Sequence, residues 1–80
     1  VNLASMLMNT GNRADVLRAR DVLREATGLR ANDERALLLL SQAERRAGDA
    51  AAAESTARRV IAQNARNPRA FYALAEALGE

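Results

Sequence analysis

The chain has 80 residues, no cysteine, no histidine, and a net charge of only +2. Those absences exclude disulfides, thiol and histidine catalysis and most zinc chemistry, and they leave the compartment open. No stretch reaches the ~18 apolar residues of a membrane span. The opening residues also lack the basic lead-in of a signal peptide.

Apolar residues make up 49% of the chain, much of it alanine, and the only aromatics are Phe71 and Tyr72. Alanine, leucine, arginine and glutamate are strong helix formers, and small side chains let helix backbones approach closely. An all-helical fold is therefore expected. A domain of this size buries only roughly 60% of the surface its unfolded chain exposes. The pI of 10.4 overstates the basicity, because every basic residue is arginine and ten acids are interleaved with them. All-arginine, alanine-rich usage also fits a GC-rich bacterial genome.

Five helices are predicted in chain order. The first spans about 2–9 and stops at Thr10-Gly11-Asn12, a turn cluster. The second spans about 14–27 with an apolar stripe of Val16, Ala19, Leu23 and Ala26, and Gly28 is expected as its left-handed C-terminal cap. Asp33 is the expected N-cap of the third helix, 34–47. Gly48 should close that helix, and Asp49 should cap a fourth running to about residue 65. Asn67-Pro68 opens the fifth, with asparagine as N-cap and proline at the first helical position, where its missing N–H costs nothing. The run Leu37-Leu38-Leu39-Leu40 sweeps most of the way round a helix at about 100° per residue, so the third helix must be contacted on several sides. The expected core is Leu3, Met6, Leu7, Val16, Ala19, Leu23, Leu37, Leu40, Ala53, Ala57, Val60, Phe71 and Leu74.

Residues 34–43 and 68–77 are two versions of one segment, 34 residues apart. Arg35/Arg69, Ala36/Ala70, Leu40/Leu74 and Ala43/Ala77 are identical, and Leu37/Phe71 and Leu38/Tyr72 keep their bulk. A fixed period of this size marks a repeat protein whose units stack to bury a core. The pattern resembles the tetratricopeptide repeat. The family's tryptophan position falls on Leu37, its leucine on Leu40, its small glycine position on Ser41, its Gly-Asp turn on Gly48-Asp49, and its helix-B alanine on Ala53. The third unit places Phe71, Leu74, Ala75 and Leu78 at corresponding positions. The departures are Glu44 at the tyrosine position, Ala57 at the second aromatic, Ala31 and Ala65 for the closing proline, and a turn glycine at Gly11 where Ala14 would carry it.

The resemblance covers the whole chain. It implies an αα-hairpin solenoid with a right-handed superhelix and about two and a half units, at 1–33, 34–67 and 68–80. The last unit stops after its first helix, so the chain reads as part of a longer array. It also implies a non-catalytic scaffold that binds a peptide or helix in a concave groove. Carried over, the groove positions are Arg35, Leu38, Gln42, Arg45, Arg46, Arg69, Tyr72 and Glu76, with Ala4 and Met8 in the weaker first unit. Arginine and tyrosine suit such a surface because each joins apolar area to directional hydrogen bonds, and the guanidinium groups favour an acidic partner. Arg45-Arg46 could equally complement the dipole at the end of the third helix. The family's carboxylate clamp is not expected, because Ala4, Met8 and Leu39 occupy its lysine and asparagine positions.

No catalytic, metal or cofactor site is expected. The carboxylates are mostly flanked by arginine, and Asp15–Arg18 and Asp21–Arg24 read as surface pairs. Two alternatives remain. One is weak nucleic-acid binding through Arg58, Arg59, Arg66 and Arg69, against which the low net charge and scarce aromatics argue. The other is an accessory repeat region of a larger enzyme. Phe71 and Leu74 are expected to face inward on a fifth helix with no following helix to cover it, which leaves a face open to self-association.

Overall fold

A computed structural model describes residues 2–30 and 32–79. The described residues form five α-helices and no strand: α1 (Asn2–Asn9), α2 (Arg13–Leu29), α3 (Glu34–Arg46), α4 (Ala50–Gln63) and α5 (Pro68–Ala77). No helix is long and apolar enough to cross a membrane.

The helix starts are set by short polar side chains, each accepting from an otherwise orphaned backbone N–H. Asn12 accepts from the amide of Ala14, Asp33 from Ala36, Asp49 from Ala52 and Asn67 from Arg69. Gly11 and Gly48 adopt positive φ of 71° and 89° in the turns after α1 and α3. That left-handed backbone is where only glycine is free of a Cβ penalty. Gly28 does not cap α2 as expected. Helix α2 runs through it to Leu29, and the Arg30 amide donates to Ala26 O.

Consecutive helices pack in pairs. Helix α3 also touches both α1 and α5, while α1 and α5 make no contact with each other among the described residues. Helices α2 and α4 make no contact with each other among the described residues. The Cα envelope is 32 × 29 × 17 Å. Two clusters form the core. Leu7, Met8, Ala19, Leu23, Ala36, Leu40 and Ala43 join α1, α2 and α3. Leu37, Val60 and Ala70 join α3, α4 and α5.

The 34-residue spacing reappears in three dimensions. Ala36 and Ala70, Ala43 and Ala77, Ala19 and Ala53, and Leu23 and Ala57 are buried at equivalent positions. The links α2–α3 and α4–α5 are built alike: Arg30 and Asn64 amides donate to Ala26 O and Val60 O, and Asp33 and Asn67 amides donate to Arg30 O and Asn64 O. One feature breaks the period. Helices α1 and α5 end at the equivalent residues Asn9 and Ala77, but α3 runs on to Arg46. Helix α3 has 13 residues against 10 in α5, and α4 has 14 against 17 in α2. The middle turn has slid by about one helical turn, which is why the turn glycines Gly11 and Gly48 do not align.

The core expectation fails at the edges. Leu3, Met6 and Phe71 are exposed, at 52%, 67% and 50%, and Leu74 is only half-buried. Their spacing is right for a helix face, but among the described residues no helix covers these faces of α1 and α5. The expected pairs Asp15–Arg18 and Asp21–Arg24 are also replaced. Asp15 accepts from the Thr10 hydroxyl, Asp21 pairs with Arg20, and Arg24 reaches Glu44.

Glu44 is the largest departure from a surface reading. It is nearly fully buried where α2, α3 and α4 meet. Its carboxylate accepts from Thr56 Oγ1 at 2.6 Å and from Arg24 at 3.3 Å. Thr56 Oγ1 also lies 3.0 Å from Ala52 O. A single hydroxyl proton serves one acceptor at a time, and the shorter contact to an ionised oxygen is the stronger. Close by, the buried Ser41 hydroxyl donates to Ala53 O at 2.9 Å. These bonds fix the register of α4 on α3.

Candidate functional site: the groove between α3 and α5

Helices α3 and α5 run parallel, one unit apart. Near their N-terminal ends, Asn67 Nδ2 donates to Glu34 Oε1 at 2.8 Å. Near their C-terminal ends, Arg45 pairs with Glu76 at 3.4 Å. Between these two ties lies a cavity of about 360 Å³.

Its walls follow from helical periodicity. On α3, Arg35, Leu38, Gln42 and Arg45 recur at spacings of three and four, and on α5 Arg69, Tyr72 and Glu76 do the same. Such spacings put side chains on one face. Of the expected groove residues, Arg35, Leu38, Gln42, Arg45, Arg69, Tyr72 and Glu76 line this cavity, and Arg46 and Met8 do not. Leu39, Ser41 and Ala73 also line it and were not anticipated. Leu39 could have been found by allowing both i+3 and i+4 from Arg35. Ser41 contributes wall only, since its hydroxyl is committed to Ala53 O.

Arg46 points elsewhere. Its guanidinium donates to Met8 O at 3.2 Å, and Arg13 donates to Ala47 O at 3.4 Å. These bonds clasp the C-terminal ends of α1 and α3, satisfying carbonyls that helix ends leave orphaned. Arg46 and Met8 line a smaller cavity of about 80 Å³ with Asn9, Leu39 and Gln42. Leu39 and Gln42 belong to both cavities, so the two adjoin along α3. The Ala4 side chain lies outside the described residues.

The groove is electrostatically uneven. At the Arg45 end, guanidinium and carboxylate neutralise each other, although Arg45 Nε is buried without a hydrogen-bond partner. At the other end, Arg35 and Arg69 make no ion pair among the described residues and are exposed. Tyr72, 68% exposed, and Leu38 lie between. The lining thus offers two arginines at one end, with the Glu34 carboxylate nearby held by Asn64 and Asn67, and apolar area in the middle. On α4, Arg58 is tied to Glu54 at 3.0 Å and Arg59 is exposed. Among the described residues no three metal-ligating side chains cluster.

No family model matches the chain, and neither a curated protein nor a solved structure matches it.

Proposed function

We propose that this chain is a tetratricopeptide-like helical scaffold, an αα-hairpin solenoid with a right-handed superhelix, and that it binds an extended or helical segment of another protein between α3 and α5. The single observation that carries the reading is the cavity walled by a tyrosine, leucines and two arginines that make no ion pair among the described residues. A scaffold needs such a surface and no reactive group. From Arg35 to Arg45 the groove runs about 15 Å along α3 at ~1.5 Å per residue, the length of roughly four to five extended residues. Its volume of about 360 Å³ sits at the low end of the ~300–1,000 Å³ usual for ligand clefts and suits a few docked side chains. Arg35 and Arg69 favour a carboxylate-bearing segment, because a guanidinium fork matches a carboxylate in a paired geometry. Leu38 and Tyr72 supply apolar contact beside them. The 34-residue equivalences in burial, capping and linkage support the repeat assignment.

Fluorescence anisotropy tests the reading with labelled peptides of one leucine spacing that carry glutamate, glutamine or lysine between the leucines. The glutamate peptide should bind best, and Arg35→Ala with Arg69→Ala should abolish its advantage. Apolar contact should keep part of the binding at about 1 M salt, where the Debye length is only ~3 Å. Equal affinity for all three peptides in both proteins contradicts the groove. Single-stranded DNA that outcompetes them and is released steeply by salt favours the nucleic-acid alternative.

A further inference from the structure

The groove is walled by two versions of one pattern, and the versions differ at one end. Arg35 and Leu38 on α3 match Arg69 and Tyr72 on α5, 34 residues later. The next matched pair is Gln42 and Glu76, an amide against a carboxylate. Three arginines line the cavity, and Glu76 is the one carboxylate in that lining. Glu34 lies outside the lining and is held by Asn64 and Asn67.

Glu76 faces Arg45, at the far end of the groove from Arg35 and Arg69. Its Oε2 sits 3.4 Å from Arg45 Nη2. Arg45 Nε takes no part in the contact, being buried without a hydrogen-bond partner. A guanidinium holds a carboxylate best through two parallel N–H···O bonds, so the pair falls short of its strongest geometry. Both side chains are also partly exposed, at 37% and 33%, and a pair so placed adds little to stability.

Its effect on a ligand is larger than its effect on the fold. The pair sets a carboxylate of this chain on the arginine that a ligand's carboxylate would otherwise take. Arg35 and Arg45 are about 15 Å apart along α3, the length of roughly four to five extended residues. A bound segment with acids that far apart would bring its second carboxylate against Glu76. Like charges at close range repel, and the arginine there is already neutralised.

We propose that Glu76 is the specificity-determining residue of the groove. Its carboxylate answers Arg45 from within the chain. The groove therefore selects a segment that is acidic at the Arg35–Arg69 end, apolar in the middle and uncharged at the Arg45 end. It turns away a segment acidic at both ends. The proposal rests on the groove reading and deepens it, by naming the charge pattern of the partner. The repeat itself supplies the variant that tests it. Gln42 shows that an amide fits at the equivalent groove position, so Glu76→Gln removes the charge and keeps the shape.

Fluorescence anisotropy with the 80-residue chain reads the outcome. One labelled peptide carries glutamate on one side of two leucines and glutamine on the other, with the two flanking residues spaced to reach from Arg35 to Arg45. A second peptide carries glutamate on both sides. The chain should favour the first peptide. Glu76→Gln should reverse the order and favour the second by about fivefold, the scale of one partly exposed ion pair. Combining Glu76→Gln with Arg45→Gln should remove that new preference, because the gain acts through the freed guanidinium. Glu25→Gln makes the same charge change at an exposed position of α2 outside the groove, and should keep the original order. Circular dichroism should report equal helicity in all four proteins. A Glu76→Gln protein that keeps the original order overturns the proposal and leaves the groove reading standing. So does a new preference that survives the loss of Arg45, or one that Glu25→Gln reproduces. Binding of neither peptide by any of the proteins overturns the groove reading, and this proposal with it.

Discussion

Helices α3 and α5 carry the same segment and sit in different surroundings. In α3 the sector Leu37, Ser41, Glu44 is covered by α4 and belongs to the core. In α5 the matching sector Phe71, Ala75, Leu78 is open. Their groove-facing sectors, by contrast, meet across one cavity. A repeat therefore fixes which residues share a face, while position in the array decides whether that face is core, site or surface. Each substitution below breaks one face of this comparison.

The largest expected effect comes from the covered sector. Leu37→Ala should cost about 2–5 kcal/mol, the range for emptying a buried leucine site. That is a large part of the roughly 4–12 kcal/mol expected for a chain this small. Phe71→Ala at the equivalent open position should cost the monomer about 1 kcal/mol or less, because half the ring is already in water and only the area removed from water counts. Urea midpoints with unchanged m-values would measure both. Equal losses would mean that the outer sector of α5 is packed.

Next comes the buried polar node. Glu44→Ala should cost about 1–3 kcal/mol, because it removes the charged hydrogen bonds from Thr56 and Arg24 and empties a buried site, although the Thr56 hydroxyl keeps Ala52 O as an acceptor. Glu44→Leu with Thr56→Val should recover much of that loss, since replacing both buried partners by apolar groups of similar shape is often near neutral. A double-mutant cycle would read a coupling above ~0.5 kcal/mol if the pair sets the register of α4, and additive losses would remove that role.

Smaller again is the clasp between the first and middle units. Arg46→Ala or Arg13→Ala should each cost about 0.5–1.5 kcal/mol through a lost carbonyl contact, seen as a lower thermal midpoint. Arg46→Ala should leave peptide affinity nearly unchanged, because its guanidinium serves Met8 O and lies outside the larger cavity. Smallest in stability is Arg35→Ala with Arg69→Ala, within about 0.5 kcal/mol because exposed charges contribute little. Unfolding of that double variant would make the two arginines structural.

The parts legible in the sequence are those set locally. Asp33, Asp49 and Asn67 cap the helices expected of them, and Gly48 takes the positive φ of its turn, because capping and left-handed turns need particular side chains. Gly28 misled because a glycine permits a helix stop without requiring one, and α2 ends where Arg30 closes it. The groove positions came from the family resemblance, and their spacings of three and four keep each set on one helix face. The exception, Arg46, was not legible, since the slide of the middle turn that sends Arg46 toward α1 has no mark in the 34-residue alignment. Glu44 was hidden by its arginine neighbours. Its position one helical turn beyond Leu37 and Ser41 was the available signal. Leu3, Met6 and Phe71 were misplaced because periodicity says nothing about what lies opposite a face.

The most direct test of the central claim, that α3 and α5 together form the recognition surface, is an amide chemical-shift titration with the leucine–glutamate peptide. Shifts should concentrate on Arg35, Leu38, Gln42, Arg69, Tyr72 and Glu76, leave α4 near Arg58 and Arg59 unmoved, and vanish in the Arg35→Ala, Arg69→Ala protein. Shifts centred on Arg58 and Arg59, or shifts that persist in the double variant, would contradict it.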